Sequence, residues 1–217
     1  MLIQLKPREN SLIEILFRKL PRVDALVLCE GKTESEVVKT IIKKLKFDVK
    51  KVVGVTDCEG INTLYSISSV MVVLTKLFKR IKTLGVVLDS EKLTVQERIK
   101  SFVDSLRAKG LKINEPQQVC HQTFVLCVEN YDLKIYVSIS GVHKFSNFKK
   151  HTIEDHGVLL LLLKNPNLKN LIGKSKTAQE IISKDTLLNL IRESGEEDLR
   201  KTFPHIYCLL RNLCAPN

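Results

Sequence analysis

Two short runs of uninterrupted apolar residues constrain this chain most: Ala25-Leu26-Val27-Leu28-Cys29 and Leu84-Gly85-Val86-Val87-Leu88. Neither alternates polar with apolar residues, so neither suits a strand with one wet face. Each fits a strand covered on both faces, as in a parallel sheet. Each run also ends in acid. The first passes into Glu30-Gly31-Lys32-Thr33-Glu34, the second into Asp89-Ser90-Glu91. Open α/β sheets bind ligands at the carboxyl ends of their strands. Two such endings side by side would point carboxylates at one crevice, as a magnesium site requires.

Around these runs the apolar period becomes helical. Val37, Val38, Ile41, Ile42 and Leu45 form one face. Leu64, Ile67, Met71, Leu74, Phe78 and Ile81 form a second stripe, and Val95, Ile99, Phe102, Val103 and Leu106 a third. Thr33 with Glu36 and Thr94 with Glu97 have capping-box spacing, and Asn62 or Thr63 can cap the middle helix. Gly110 stops the third helix. A weaker strand, Val49 to Val55, is interrupted by Lys50 and Lys51, and residues 10 to 20 read as a short helix ended by Pro21. With the first strand taken from Val23, the first 110 residues read βαβαβα, a parallel sheet with right-handed crossovers.

Beyond Gly110 the pattern changes. Phe124 to Val128 and Leu133 to Ile139 read as a hairpin near a sheet edge. From His151 the chain reads helical, over 152–164, 177–193 and 196–213, with a bend at Pro204. The expected organisation is an N-terminal helix and lead-in over 1–22, an α/β domain over 23–145, and a helical extension packed on it over 146–217.

Lysine and arginine outnumber aspartate and glutamate by 35 to 24, a net charge of +11. The expected partner is a polyanion, nucleic acid first; a basic surface that serves only solubility is the other reading. The absence of tryptophan and an aromatic content of 6% argue against a platform for stacking bases. Six cysteines form no C-x-x-C pair, and Cys120-His121 with Cys127 matches no zinc spacing. A reducing compartment follows, with a disulfide from Cys208 or Cys214 to another cysteine as the secondary reading. The N-terminus lacks a signal-peptide layout, and the run Gly157 to Leu163 is too short to span a bilayer. A cytoplasmic protein is expected.

Several acids read in two ways. Glu30 is either a general acid/base or metal ligand, or a solvated strand-end acid that favours the helix dipole. Glu34 can share its pocket, or be an ordinary first-turn acid. Asp89 and Glu91 can hold a divalent ion through oxygens, or shape a turn. Asp57, Glu59 and Gly60 read as a plain turn. Glu154 and Asp155 are explained as cap and dipole residues unless their helix starts at the crevice.

Taken together, Leu28-Cys29-Glu30-Gly31-Lys32-Thr33-Glu34, then Gly60, then Val86-Val87-Leu88-Asp89-Ser90-Glu91 resemble the Toprim domain. That domain is shared by topoisomerases, bacterial primases and OLD-family nucleases, and the Glu-Gly-x-Thr-Glu form looks closest to its small stand-alone and OLD-like nuclease members. The resemblance covers roughly residues 23 to 110, and Thr152-Ile153-Glu154-Asp155 looks like a later acidic segment of those members. It implies a Toprim-like, Rossmann-like α/β fold. It implies Glu30 as general acid/base and a Mg²⁺ or Mn²⁺ site drawn from Glu30, Glu34, Asp89, Glu91 and Glu154. Glu91 departs from the family's Asp-x-Asp pattern, and its extra methylene changes its reach.

The implied function is metal-dependent phosphoryl transfer on nucleic acid, most simply phosphodiester cleavage, with Lys32, Lys149 and Lys150 on the phosphates. The alternative is a non-catalytic module that binds nucleic acid or a protein in a larger complex. A nucleotide-binding α/β protein of another kind finds no GxxxxGK[ST] or GxGxxG loop to support it.

Overall fold

A computed structural model of the chain describes residues 1–5, 18–45, 51–77 and 79–215. In chain order these form β1 (Leu2–Gln4), β2 (Ala25–Cys29), α1 (Lys32–Leu45), β3 (Val53–Asp57), α2 (Ile61–Leu74), β4 (Thr83–Asp89) and α3 (Val95–Ala108). There follow β5 (Gln117–Cys120), β6 (Thr123–Cys127), β7 (Lys134–Ser140), α4 (Ile153–Lys164), α5 (Lys169–Lys174), α6 (Lys184–Glu193), α7 (Glu196–Thr202) and α8 (Pro204–Cys214). The seven strands make one sheet in the order β1-β3-β2-β4-β7-β6-β5. Its first five strands are parallel, and β6 and β5 run antiparallel. The result is a Rossmann-like α/β fold with helices on both faces.

The two apolar runs lie side by side at its centre, with Ala25 opposite Thr83 and Cys29 opposite Val87. Successive strand residues face opposite sides. Ala25, Val27, Cys29 and Val87 join α1 and the C-terminal helices in one apolar cluster. Leu26, Leu28, Leu84, Val86 and Leu88 join α2 and α3 in the other. Both faces are dry, which is why these strands carry no alternation.

The stripes of α1 and α3 are buried as their spacing predicts. Thr94 and Glu97 form the capping box in full. Other local expectations change. Thr33 lies inside α1, whose first hydrogen bond goes to the Gly31 carbonyl, and Glu36 pairs with Lys39 instead of capping. Gly60, not Asn62 or Thr63, precedes α2. The second strand is Val53–Asp57 rather than Val49–Val55; residues 46–50 lie outside the described residues, as do Phe78 and most of the helix expected over 10–20. Leu20–Arg22 is a short 3-10 turn. The helix expected over 177–193 is broken before Ser183, whose hydroxyl caps α6 at the Thr186 N–H.

The expected hairpin is present as β6 and β7, but β7 sits inside the sheet, parallel to β4. The edge belongs to β5, whose polar, mostly exposed residues gave no period to read. The other edge, β1, is three residues long. A disulfide joins Cys120 at the end of β5 to Cys208 in α8, so the secondary reading of the cysteines is the one observed. No helix among the described residues is long and apolar enough to cross a membrane.

Leu209 of α8 is fully buried in the same cluster as Val27 and Val87. Leu209→Ala should therefore cost about 2–5 kcal/mol. In urea its midpoint should fall while the transition stays single and the slope unchanged, because sheet and C-terminal helix share one core. Two separate transitions would show that they do not.

Candidate functional site: an acidic crevice at the carboxyl edge of the sheet

Glu30 leaves β2, and Asp89 is the last residue of the adjoining β4. The Glu30 N–H donates to the Val87 carbonyl at 3.0 Å, which continues the parallel ladder one step. Its side chain then turns across the neighbouring strand end, where Glu30 Oε2 accepts the Asp89 N–H at 3.2 Å. Asp89 is 7% exposed, and its Oδ1 accepts the Ile153 N–H at 3.0 Å. Ile153 is the first residue of α4, so this helix starts at the crevice. Its free N–H groups and dipole favour negative charge there.

Glu34, in the first turn of α1, is buried beside this strand end. The Asp89 pKa is raised well above its ordinary value, by burial first and then by Glu34, Glu154 and Glu30. Gly31 makes the geometry possible, since a Cβ there would stand 2.8 Å from Glu34 Oε2. Glu154 follows Ile153 and is buried, accepting a hydrogen bond from Gln179 Nε2 at 3.1 Å. Burial raises the pKa of Glu154, with Glu34 and Asp155 adding to it. Glu30 is raised by burial against the pull of the Asp89 N–H and Arg98.

Glu91 stands apart at the rim. Its backbone exchanges hydrogen bonds with His151 at 2.8 and 2.9 Å, and its φ of 56° lies in the left-handed region. Its carboxylate pairs with Lys150 at 3.1 Å. Lys149 and Lys32 are exposed, the latter at the first residue of α1. Among the described residues no three His, Cys, Asp or Glu side chains are gathered so as to hold a metal ion as they stand. Asp57 ends β3 and Glu59 stays in the loop after it, whose Gly60 N–H donates to the Glu30 carbonyl at 2.8 Å.

Asp155 lies in the first turn of α4 as expected, but it does more than favour the helix start. Its Oδ2 accepts the Val142 N–H and meets His151 Nδ1, both at 2.9 Å, pinning the segment after β7 to α4. The i,i+4 spacing of His151 and Asp155 was the available signal. Arg98 was missed as well. It is 7% exposed and donates to the Ser90 carbonyl at 3.1 Å. Its place on the apolar stripe of α3, three residues after Val95 and four before Phe102, marks it in the sequence.

A mostly parallel sheet with buried carboxyls at its carboxyl edge defines an α/β protein with a candidate site in that crevice. The chain belongs to the family described as "Protein of unknown function (DUF3226)", which matches residues 24–209. It is similar to the mercury-phased structure of the C-terminal region of the OLD protein from Xanthomonas campestris pv. campestris, at 14% identity and a TM-score of 0.40, over 88% of this chain and 98% of that one. The iodine-phased structure of the same region gives 13% identity and a TM-score of 0.39, over 88% and 97%. No curated protein matches the sequence.

Asp89 keeps its proton to higher pH folded than unfolded, so its ionisation costs stability as pH rises through the raised pKa. Buried His156, pushed down to about 3, acts in the opposite sense, and its contribution is lost as pH falls below the ordinary histidine range. Comparing wild type with Asp89→Asn isolates the carboxyl. The Asp89→Asn protein should melt higher than wild type at pH 8, and the gap should shrink towards pH 5. A gap of the same size at both pH values would mean that Asp89 does not titrate in this range.

Proposed function

We propose that this protein is a Toprim-like, divalent-metal-dependent phosphoryl-transfer enzyme that cleaves phosphodiesters in nucleic acid in the cytoplasm. One observation carries the reading. Glu30, Glu34, Asp89 and Glu154 crowd one strand-end crevice, where burial first and then the other three acids raise the Asp89 pKa. Nothing in the packing of the sheet requires four acids there. The donor set fits a hard divalent cation, which takes carboxylate oxygens. Glu34, Asp89 and Glu154 would hold Mg²⁺ or Mn²⁺, once Asp89 releases its proton. Such a metal supplies charge neutralisation at the scissile phosphate. Glu30 has the raised pKa and fixed orientation of a group that moves a proton at the attacking or leaving oxygen. Arg98 tempers that shift. Lys32, Lys149 and Lys150 would meet the flanking phosphates, Lys150 by leaving Glu91.

A second reading, a non-catalytic binding module, is favoured by the ion pair that occupies Glu91 and by carboxyls not yet gathered for a metal. Labelled DNA and RNA incubated with Mg²⁺, Mn²⁺ or EDTA separate the two. Cleavage should need the metal, and Glu30→Gln and Asp89→Ala should each slow it by about 100-fold or more. Binding, followed by fluorescence anisotropy, should weaken steeply with salt as counterions are released. Salt-sensitive binding without cleavage selects the module. Failure to bind either polymer at low salt removes the nuclease and the nucleic-acid-binding module and leaves a protein partner.

A further inference from the structure

Behind the carboxyl end of β7 lies a cavity of about 540 Å³, separate from the acids. Gly141 is the partition. It lines the cavity, and on its other side a Cβ would strike the Ser90 hydroxyl at 2.4 Å and His151 at 2.7 Å. The two sides differ in charge. No carboxylate lines the cavity; its walls carry His121, His143, Lys144 and Lys201, with Val95 and Leu159 among the apolar residues. Lys201 is held by Glu197 at 2.7 Å, outside the lining. A cavity this size is in the range that takes a whole small ligand, far larger than a lone phosphate needs.

Gln122 says more about that ligand. It turns the chain from β5 into β6 with φ 52°, a conformation that favours glycine or asparagine. Its side chain is 7% exposed, donates from Nε2 to the Gly141 carbonyl at 2.9 Å, and leaves Oε1 without a partner at the cavity wall. A buried acceptor of this kind requires a donor. His156 lies deeper and is already satisfied, taking the Gly141 N–H at 3.1 Å on Nε2 and giving Nδ1 to the Thr202 carbonyl at 2.7 Å.

We infer that this cavity binds one nucleotide unit: its phosphate against Lys144 and Lys201, its base between the apolar wall and the imidazoles of His121 and His143, and a base or sugar N–H or O–H on Gln122 Oε1. The three requirements, anion, flat body and hydrogen-bond donor, meet in a nucleoside phosphate and not in a sugar phosphate or a free nucleoside. The inference does not depend on the proposed cleavage, because the cavity shares no carboxyl with the crevice. The unit is either a free nucleotide or the end of a strand, and a 5′-phosphorylated trinucleotide displaces AMP only in the second case.

Calorimetry on the full chain in EDTA tests it with AMP, UMP, their nucleosides and ribose 5-phosphate. AMP and UMP should bind, the nucleosides and ribose 5-phosphate about tenfold more weakly or worse, and Lys144→Ala and Gln122→Gly should each lose about tenfold. Gln122→Gly suits the left-handed turn, so the variant should stay folded, and its melting curve checks this. Absence of AMP and UMP binding at millimolar concentration overturns the inference. So does equal binding of ribose 5-phosphate, or unchanged binding in both variants. Because metal is excluded, a protein that binds AMP but cleaves nothing loses only the nuclease reading, and one that cleaves but ignores nucleotides loses only this one.

Discussion

Asp89 is a carboxyl at the end of a strand buried along its whole length, and the way its charge is managed organises the crevice around it. Desolvating a carboxylate is expensive, so the group either keeps its proton or finds donors. Here it does both, its pKa raised well above the ordinary value by burial and by the neighbouring acids while its Oδ1 takes the Ile153 N–H. The second contact fixes where α4 begins. From that point α4 runs into the cluster shared by α6, α7, α8 and the central strands. The same strand end gives its own N–H to Glu30. Remove the buried acid and the start of α4 loses the carboxylate oxygen that its first N–H is built to meet.

How far the sequence foretells this depends on what each signal measures. Uninterrupted apolar runs report burial on both faces, so β2 and β4 and the acids that end them were legible, and α1 and α3 followed from their stripes. The edge strands were not. β1 and β5 are held by backbone hydrogen bonds, which any residues can supply, and β5 shows its side chains to solvent. Period alone also cannot say which neighbour a strand will take: the hairpin expected near an edge lies one strand from it, but its pairing of β7 with β4 was not legible. Cap spacing proved decisive at Thr94 and misleading at Thr33, where Gly31 already ends the strand-to-helix turn. Arg98 and Asp155 reach partners distant in sequence or across a loop, and no local pattern names those partners.

Backbone strain falls unevenly over the molecule. Four described residues other than glycine adopt positive φ: Glu59, Glu91, Gln122 and Asn130. Three of them follow the carboxyl ends of β3 and β4 or precede β6, whose start lies opposite Ser138 near the end of β7. All three therefore sit at the edge that carries the acids and the cavity. Only Asn130 lies at the opposite edge, in the turn between β6 and β7, where asparagine is at ease. Strained conformations persist where the surroundings over-determine them, and such places cluster at sites of function. Clustered carboxyls, a buried amide lacking a donor and left-handed backbone thus coincide on one rim.

Gly141 has a consequence for how this rim can change over time. Its φ of 125° is one that side chains rarely adopt, and an added methyl would have to push aside Ser90 and His151. The position is thus closed to drift even though glycine itself contacts no ligand. It also ties the histories of the two recesses together. A change that reshapes one must pass through a wall one residue thick, so neither the acidic nor the basic side can be remodelled while its neighbour stays as it was.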